Sequence, residues 1–142
     1  YKRYLERGQP PWTPNLPVMF GLDVALEMML KGGMENIFAH HRRVARFTRD
    51  GIKALGLELI PKDSCASDTV TAVRVPEGVD GRKLVAMMRE EHGVVLAGGQ
   101  AKLEGKIFRI GHMGYVSEDD VQQVLDALKV VLPKVGFKAR VK

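Results

Sequence analysis

The sequence is poor in cysteine, in aromatic residues and in long apolar runs, and each scarcity excludes something. Cys65 is the one cysteine in 142 residues, so no internal disulfide can form and a disulfide-framed secreted scaffold is ruled out. No positively charged and then apolar leader opens the sequence; together with the lone thiol this points to the cytoplasm. The longest apolar runs, such as Val94-Val95-Leu96-Ala97, fall far short of the ~18 residues that mark a membrane span, so no membrane partner is expected. Aromatics are 6% of the chain and do not alternate with arginines as a base-stacking platform requires. The net charge of +5, from 22 Lys and Arg against 17 Asp and Glu, gathers at Lys2, Arg3 and Arg7, at Arg42, Arg43, Arg46 and Arg49, and at Lys134, Lys138, Arg140 and Lys142. This reads as solvated helix face and tail, with no nucleic acid as partner.

What is present is an ordinary globular mixture, 45% hydrophobic and 27% charged, in a length that fits one core. The chain does not begin with Met, and YKRYLERGQPPWTPN reads as the middle of a longer sequence. Residues 8–17 hold four of the seven prolines, which predicts a stiff extended arm over residues 1–17. From Val18 to Leu30 the apolar residues repeat at helical spacing up to Gly32-Gly33. A second stripe, Met34, Ile37, Phe38, His41, Val44, Ala45, Thr48, Ile52 and Leu55, predicts a long helix capped by Gly56.

The period then shortens. Leu57–Ile60 and Thr69–Val75 read as strands, Asp80 as the cap of a helix running to His92, Val94–Ala97 and Lys106–Ile110 as two more strands, and Ser117 as the start of a last helix. The predicted order is α-α-β-β-α-β-β-α. Strands so closely paired exclude a doubly wound parallel sheet and predict an α+β domain, residues 18–142, with a small, mainly antiparallel sheet and helices packed on one face.

Most catalytic patterns are absent. Cys65 has no nearby histidine, His40 and His41 are adjacent and so point about 100° apart on a helix, and no phosphate-binding glycine motif follows a strand. Two features remain. Arg109 sits in an apolar strand, where a guanidinium needs an anionic partner or several carbonyls, and its planar fork suits a carboxylate. A structural salt bridge and a ligand fit this position about equally, with Gly98, Gly99, Gly111 and Gly114 nearby tilting towards a ligand. Thr13 offers a hydroxyl just before a helix N-terminus, a place that serves either as a helix cap or as a phosphate contact.

The run WTPN, the junction Gly33-Met34-Glu35-Asn36, the stretch HHRRVARFTRDGIKALGLELIPKD and above all GVVLAGGQAKLEGKIFRIGHMG together resemble the C-terminal part of the class V aminotransferases. These are fold type I pyridoxal-phosphate enzymes, and the similarity is to their alanine-glyoxylate and serine-pyruvate branch. The resemblance runs nearly end to end. It implies that Arg109 binds the substrate α-carboxylate, and that Thr13 contacts the phosphate of pyridoxal 5'-phosphate across a homodimer. The tyrosine that some members carry three residues before that threonine is replaced here by Pro10. It further implies that the cofactor-holding lysine and the carboxylate on the pyridine nitrogen belong to a large domain outside this match, so no residue of this chain is catalytic and the chain alone is inactive. No metal is implied. Two other readings stay open: a class V cysteine desulfurase or lyase, although the loop GGQAKLEG has no cysteine, and a free-standing α+β ligand-binding regulatory module.

Overall fold

A computed structural model of the chain describes residues 1–138. Arg140 and Lys142 of the basic tail lie outside the described residues. The chain forms two compact units, Tyr1–Phe38 and the remainder from Ala39.

In the first unit a short helix α1 (Lys2–Leu5) precedes the proline-rich segment. The arm is therefore not extended throughout: its prolines begin at Pro10, and nothing before them forbids a helical turn. The Tyr1 and Trp12 rings meet edge to face at 5.6 Å. Helix α2 (Leu16–Gly32) starts where the Asn15 side chain accepts from the Val18 N–H, with Pro17 in its first turn, and stops at Gly33, whose φ of +81° leaves the helical region. None of its residues is buried in the unit. Its apolar residues occur all round, with Phe20 67% and Leu30 76% exposed.

Helix α3 (Met34–Ala54) supplies Val44, Ala45, Thr48 and Ile52 to the core of the second unit. It closes as the spacing predicts: Gly56 adopts φ +77°, and the Leu57 N–H returns to the Ile52 carbonyl. Strands β1 (Val70–Arg74), β2 (Ala97–Gly98) and β3 (Ile107–Gly111) form an antiparallel sheet in the order β1-β3-β2. Between them lies α4 (Gly81–His92), capped by the Asp80 carboxylate and ended by Gly93 in the left-handed region. Helix α5 (Glu118–Lys134) opens with a reciprocal cap, in which the Asp120 N–H donates to Ser117 Oγ and the Ser117 N–H to Asp120 Oδ2.

Phe108 and Ile110 of β3 and Val73 of β1 meet Val44 and Ile52 of α3, Leu84 and Met88 of α4, and Leu125, Leu128 and Val131 of α5 in one core. The helices thus cover one sheet face, as the α+β reading requires. Residues alternate across a strand, so Ile107, Arg109 and Gly111 belong to the opposite face.

Two predicted strands shrink. Leu57–Ile60 keeps a single bridge, Leu59 to Val73, because the Leu57 N–H closes α3 and Pro61 cannot extend a ladder. Val94–Ala97 contributes only Ala97, since the Val94 N–H caps α4 on the Met88 carbonyl and Val95 is 66% exposed.

Candidate functional site

Arg109 occupies the middle of β3, opposite Ala97 of the edge strand β2. Strands lie about 4.8 Å apart, so an extended arginine can span the neighbour, and this one does. Both Nε and Nη2 donate to the carbonyl oxygen of Gly98, at 3.2 and 2.9 Å. The side chain is half-buried, and among the described residues it makes no ion pair with a carboxylate. The internal salt bridge that was one alternative for this position is therefore not formed, and most of the guanidinium's hydrogen-bonding capacity is uncommitted.

Other arginines near this edge are occupied differently. An open groove of ≈ 490 Å³ lies between α4 and the 98–107 segment, and Arg82 on its wall is held by Glu104 at 2.8 Å. Of the central cluster, Arg49 is half-buried against the Ser67 carbonyl at 3.1 Å, whereas Arg42, Arg43 and Arg46 are exposed, a solvated helix face.

Thr13 lies in the first unit, exposed, and its hydroxyl makes no hydrogen bond among the described residues. Asn15, not Thr13, caps α2. Capping therefore does not account for this threonine.

Three residues beyond Arg109, His112 is fully buried, a feature that spacing did not single out. Its Nε2 lies 2.9 Å from Thr71 Oγ1, its backbone N–H donates to the Thr69 carbonyl, and among the described residues its Nδ1 has no partner. Burial pushes the imidazole below its usual value of 6.5, and Arg49 and His41 push the same way, against the nearby backbone of Asp68 and of His112 itself, which favours the charged form. His40 is engaged with the Val116 carbonyl at 2.7 Å. Among the described residues no three His, Cys, Asp or Glu side chains gather to hold a metal ion, and no helix is long and apolar enough to cross a membrane. Cys65 is exposed, its Sγ 3.4 Å from the Lys62 carbonyl.

A guanidinium held at a sheet edge after a paired glycine is one part of a larger pattern that the chain shares with known proteins. Residues 10–124 match the family described as aminotransferase class-V. The chain belongs to the class V aminotransferases. It is 40% identical over 141 residues to an uncharacterized aminotransferase of Methanocaldococcus jannaschii, covering 99% of this chain and 37% of that protein. A serine–glyoxylate aminotransferase of Arabidopsis thaliana is 38% identical over 128 residues, 89% of this chain and 32% of that one. The solved pyridoxamine-pyruvate aminotransferase of Mesorhizobium loti superposes with a TM-score of 0.86 at 40% identity, over 93% of this chain and 34% of that chain. This class V aminotransferase chain spans about a third of the length of the relatives it matches.

Proposed function

We propose that this chain is the carboxylate-binding part of a pyridoxal-phosphate-dependent aminotransferase that moves the amino group of alanine or serine to glyoxylate or pyruvate. The observation that carries the reading is the Arg109 guanidinium, fixed at the sheet edge by the Gly98 carbonyl and otherwise unpaired among the described residues. Open space beside Gly98 leaves room for a small amino acid to approach. A carboxylate gripped there fixes one end of the substrate, so the amine and the Cα–H bond are presented in one orientation, which contributes to rate through positioning.

The donor set fits the cofactor in one respect. Thr13 has an exposed hydroxyl that no cap consumes, and a hydroxyl of this kind would hold the phosphate. When bound, pyridoxal phosphate supplies the electron sink for amino-group transfer. The lysines of this chain do not stand in the sequence context of the cofactor-holding lysine, so the 142 residues alone would be inactive. The exposed apolar surface of α2 supports a homodimer, and the single cysteine supports a cytoplasmic site. An absorbance spectrum of the full-length protein tests the reading. Alanine should convert the aldehyde form of the cofactor to its amine form, and a spectrum that alanine leaves unchanged would overturn it.

A further inference from the structure

We propose that the Gly98–Gly99 peptide is a positioning element that turns Arg109 so that a substrate carboxylate docks end-on, against Nη1 and Nη2. The inference rests on reading Arg109 as the carboxylate anchor and goes beyond it by assigning which edge of the fork is used and what sets that choice.

A guanidinium has five N–H donors: one on Nε and two on each terminal nitrogen. The Nε and Nη2 hydrogens that share one edge both point to the Gly98 oxygen. Three donors remain, and two of them, one from each terminal nitrogen, run parallel along the Nη1/Nη2 edge. That pair matches the spacing of two carboxylate oxygens. Docking on the Nε/Nη2 edge would instead require the carboxylate to displace a carbonyl that already takes both donors.

The carbonyl is held in place from its other end. The peptide is trans, so the Gly98 C=O and the Gly99 N–H point in opposite directions. The Gly99 N–H donates to the Ile107 carbonyl at 3.1 Å, which directs the Gly98 oxygen away from β3, over the open side of β2 where Arg109 arrives. Ile107 and Arg109 belong to the same strand, so donor and anchor share one frame.

Gly99 has no alternative residue in this arrangement. A Cβ there would overlap the Leu103 carbonyl group, with its carbon at 2.5 Å, and would lie 3.0 Å from Ile107 Cγ1. The Leu103 carbonyl cannot easily withdraw. It accepts from the Lys106 N–H at 3.0 Å, in a tight turn entered through Ala101 at φ +49°, a region that side chains other than glycine seldom adopt. A side chain at position 99 is therefore relieved by rotating the 98–99 peptide, which takes the carbonyl off Arg109. A Cβ at Gly98, in contrast, meets nothing within 4 Å, so the two adjacent glycines are not equivalent.

The direct test is a crystal structure of the full-length enzyme soaked with aminooxyacetate, a small amino-acid analogue with one carboxylate. The expected result is the carboxylate on Nη1 and Nη2, with Gly98 still accepting from Nε. A carboxylate on the Nε/Nη2 edge with the Gly98 carbonyl released would overturn the inference alone. A carboxylate away from Arg109 would overturn the reading beneath it. In solution, Gly99→Ala should lower single-turnover kcat/KM for alanine about tenfold, the worth of a lost hydrogen bond, while leaving ethylamine, which has no carboxylate, unaffected. Equal losses on both substrates would mean general damage and count against the positioning role. Arg109→Gln in the same pair of assays separates the two levels: it should depress the alanine-to-ethylamine ratio whatever Gly99→Ala does. If Gly99→Ala fails to fold, the crystal structure decides without it.

Discussion

Thr71 of β1 and His112 at the end of β3 are joined inside the core, Oγ1 to Nε2 at 2.9 Å, across 41 positions of sequence. His112 is completely buried with Nδ1 unpartnered, and Arg49 and His41 face it from α3. Burial lowers its folded-state pKa from 6.5. Below 6.5 the unfolded chain then binds more protons than the folded one, so stability is complete above that pH. It is lost as pH falls from 6.5 towards the depressed folded value. Urea unfolding of the intact protein at pH 7.5 and 5.5 should show a lower midpoint at 5.5. His112→Gln, which keeps a polar group near Thr71 but does not titrate, should shrink that difference. An unchanged difference would exclude His112 as its source.

Arg109→Lys in the full-length enzyme should raise KM for alanine by about 10–100-fold with a smaller change in kcat. A charge-assisted bond is worth about 1.5–3 kcal/mol, and a lysine has a point charge but no fork. Lysine also cannot make two bonds to Gly98 and still present a parallel pair. Steady-state kinetics decide, and near wild-type kinetics with alanine would remove Arg109 from substrate binding.

Thr13→Ala should weaken retention of pyridoxal phosphate by about tenfold or more, the loss of one hydrogen bond to an anion. Folding should not change, because the side chain is exposed and Asn15 performs the capping. Thr13→Ser should restore retention. Equilibrium dialysis of the cofactor measures this, and equal affinity in all three proteins would dismiss the phosphate contact.

Helices α3, α4 and α5 were legible because each carries its own punctuation: Asp80 and Gly93 bracket α4, Ser117 with Asp120 opens α5, and Gly33 and Gly56 delimit α3; α1, which has no side-chain cap, was read as extended arm. The strands were less so. Leu57 and Val94 have strand-like composition, but their N–H groups close the preceding helices, a competition that composition cannot register. In the site, Arg109 stood out as a charge among apolar neighbours and belongs to the motif that carried the family resemblance. Its bond to Gly98 depends on the Ala97–Arg109 register, which is set by pairing between distant segments. The paired glycines signalled close backbone approach without saying that only Gly99 needs it. The Thr71–His112 contact had no local signal at all.

Gly51, in the last turn of α3, was also unreadable from sequence, since an isolated glycine in a helical stripe looks like a defect. Intrinsic propensity favours alanine there by about 0.8–1 kcal/mol. In the fold, however, a Cβ on Gly51 would overlap the side chain of Leu125 on α5, with Cδ2 at 2.9 Å. Leu125 is 4% exposed and held within the core, so it can move only by disturbing its neighbours, and overpacking of this kind costs about 1–3 kcal/mol. Steric crowding should therefore outweigh propensity, and Gly51→Ala should lower the unfolding midpoint. Leu125→Ala should cost more, about 2–5 kcal/mol, by leaving a cavity. Adding Gly51→Ala to Leu125→Ala should then be stabilising, because the new methyl enters vacated space and the helix gains its propensity. The sign of the alanine substitution thus reverses with the residue opposite, a coupling that a double-mutant cycle reads directly. If Gly51→Ala raises the midpoint in the wild-type background, close packing of α3 on α5 is not what keeps a glycine at this position.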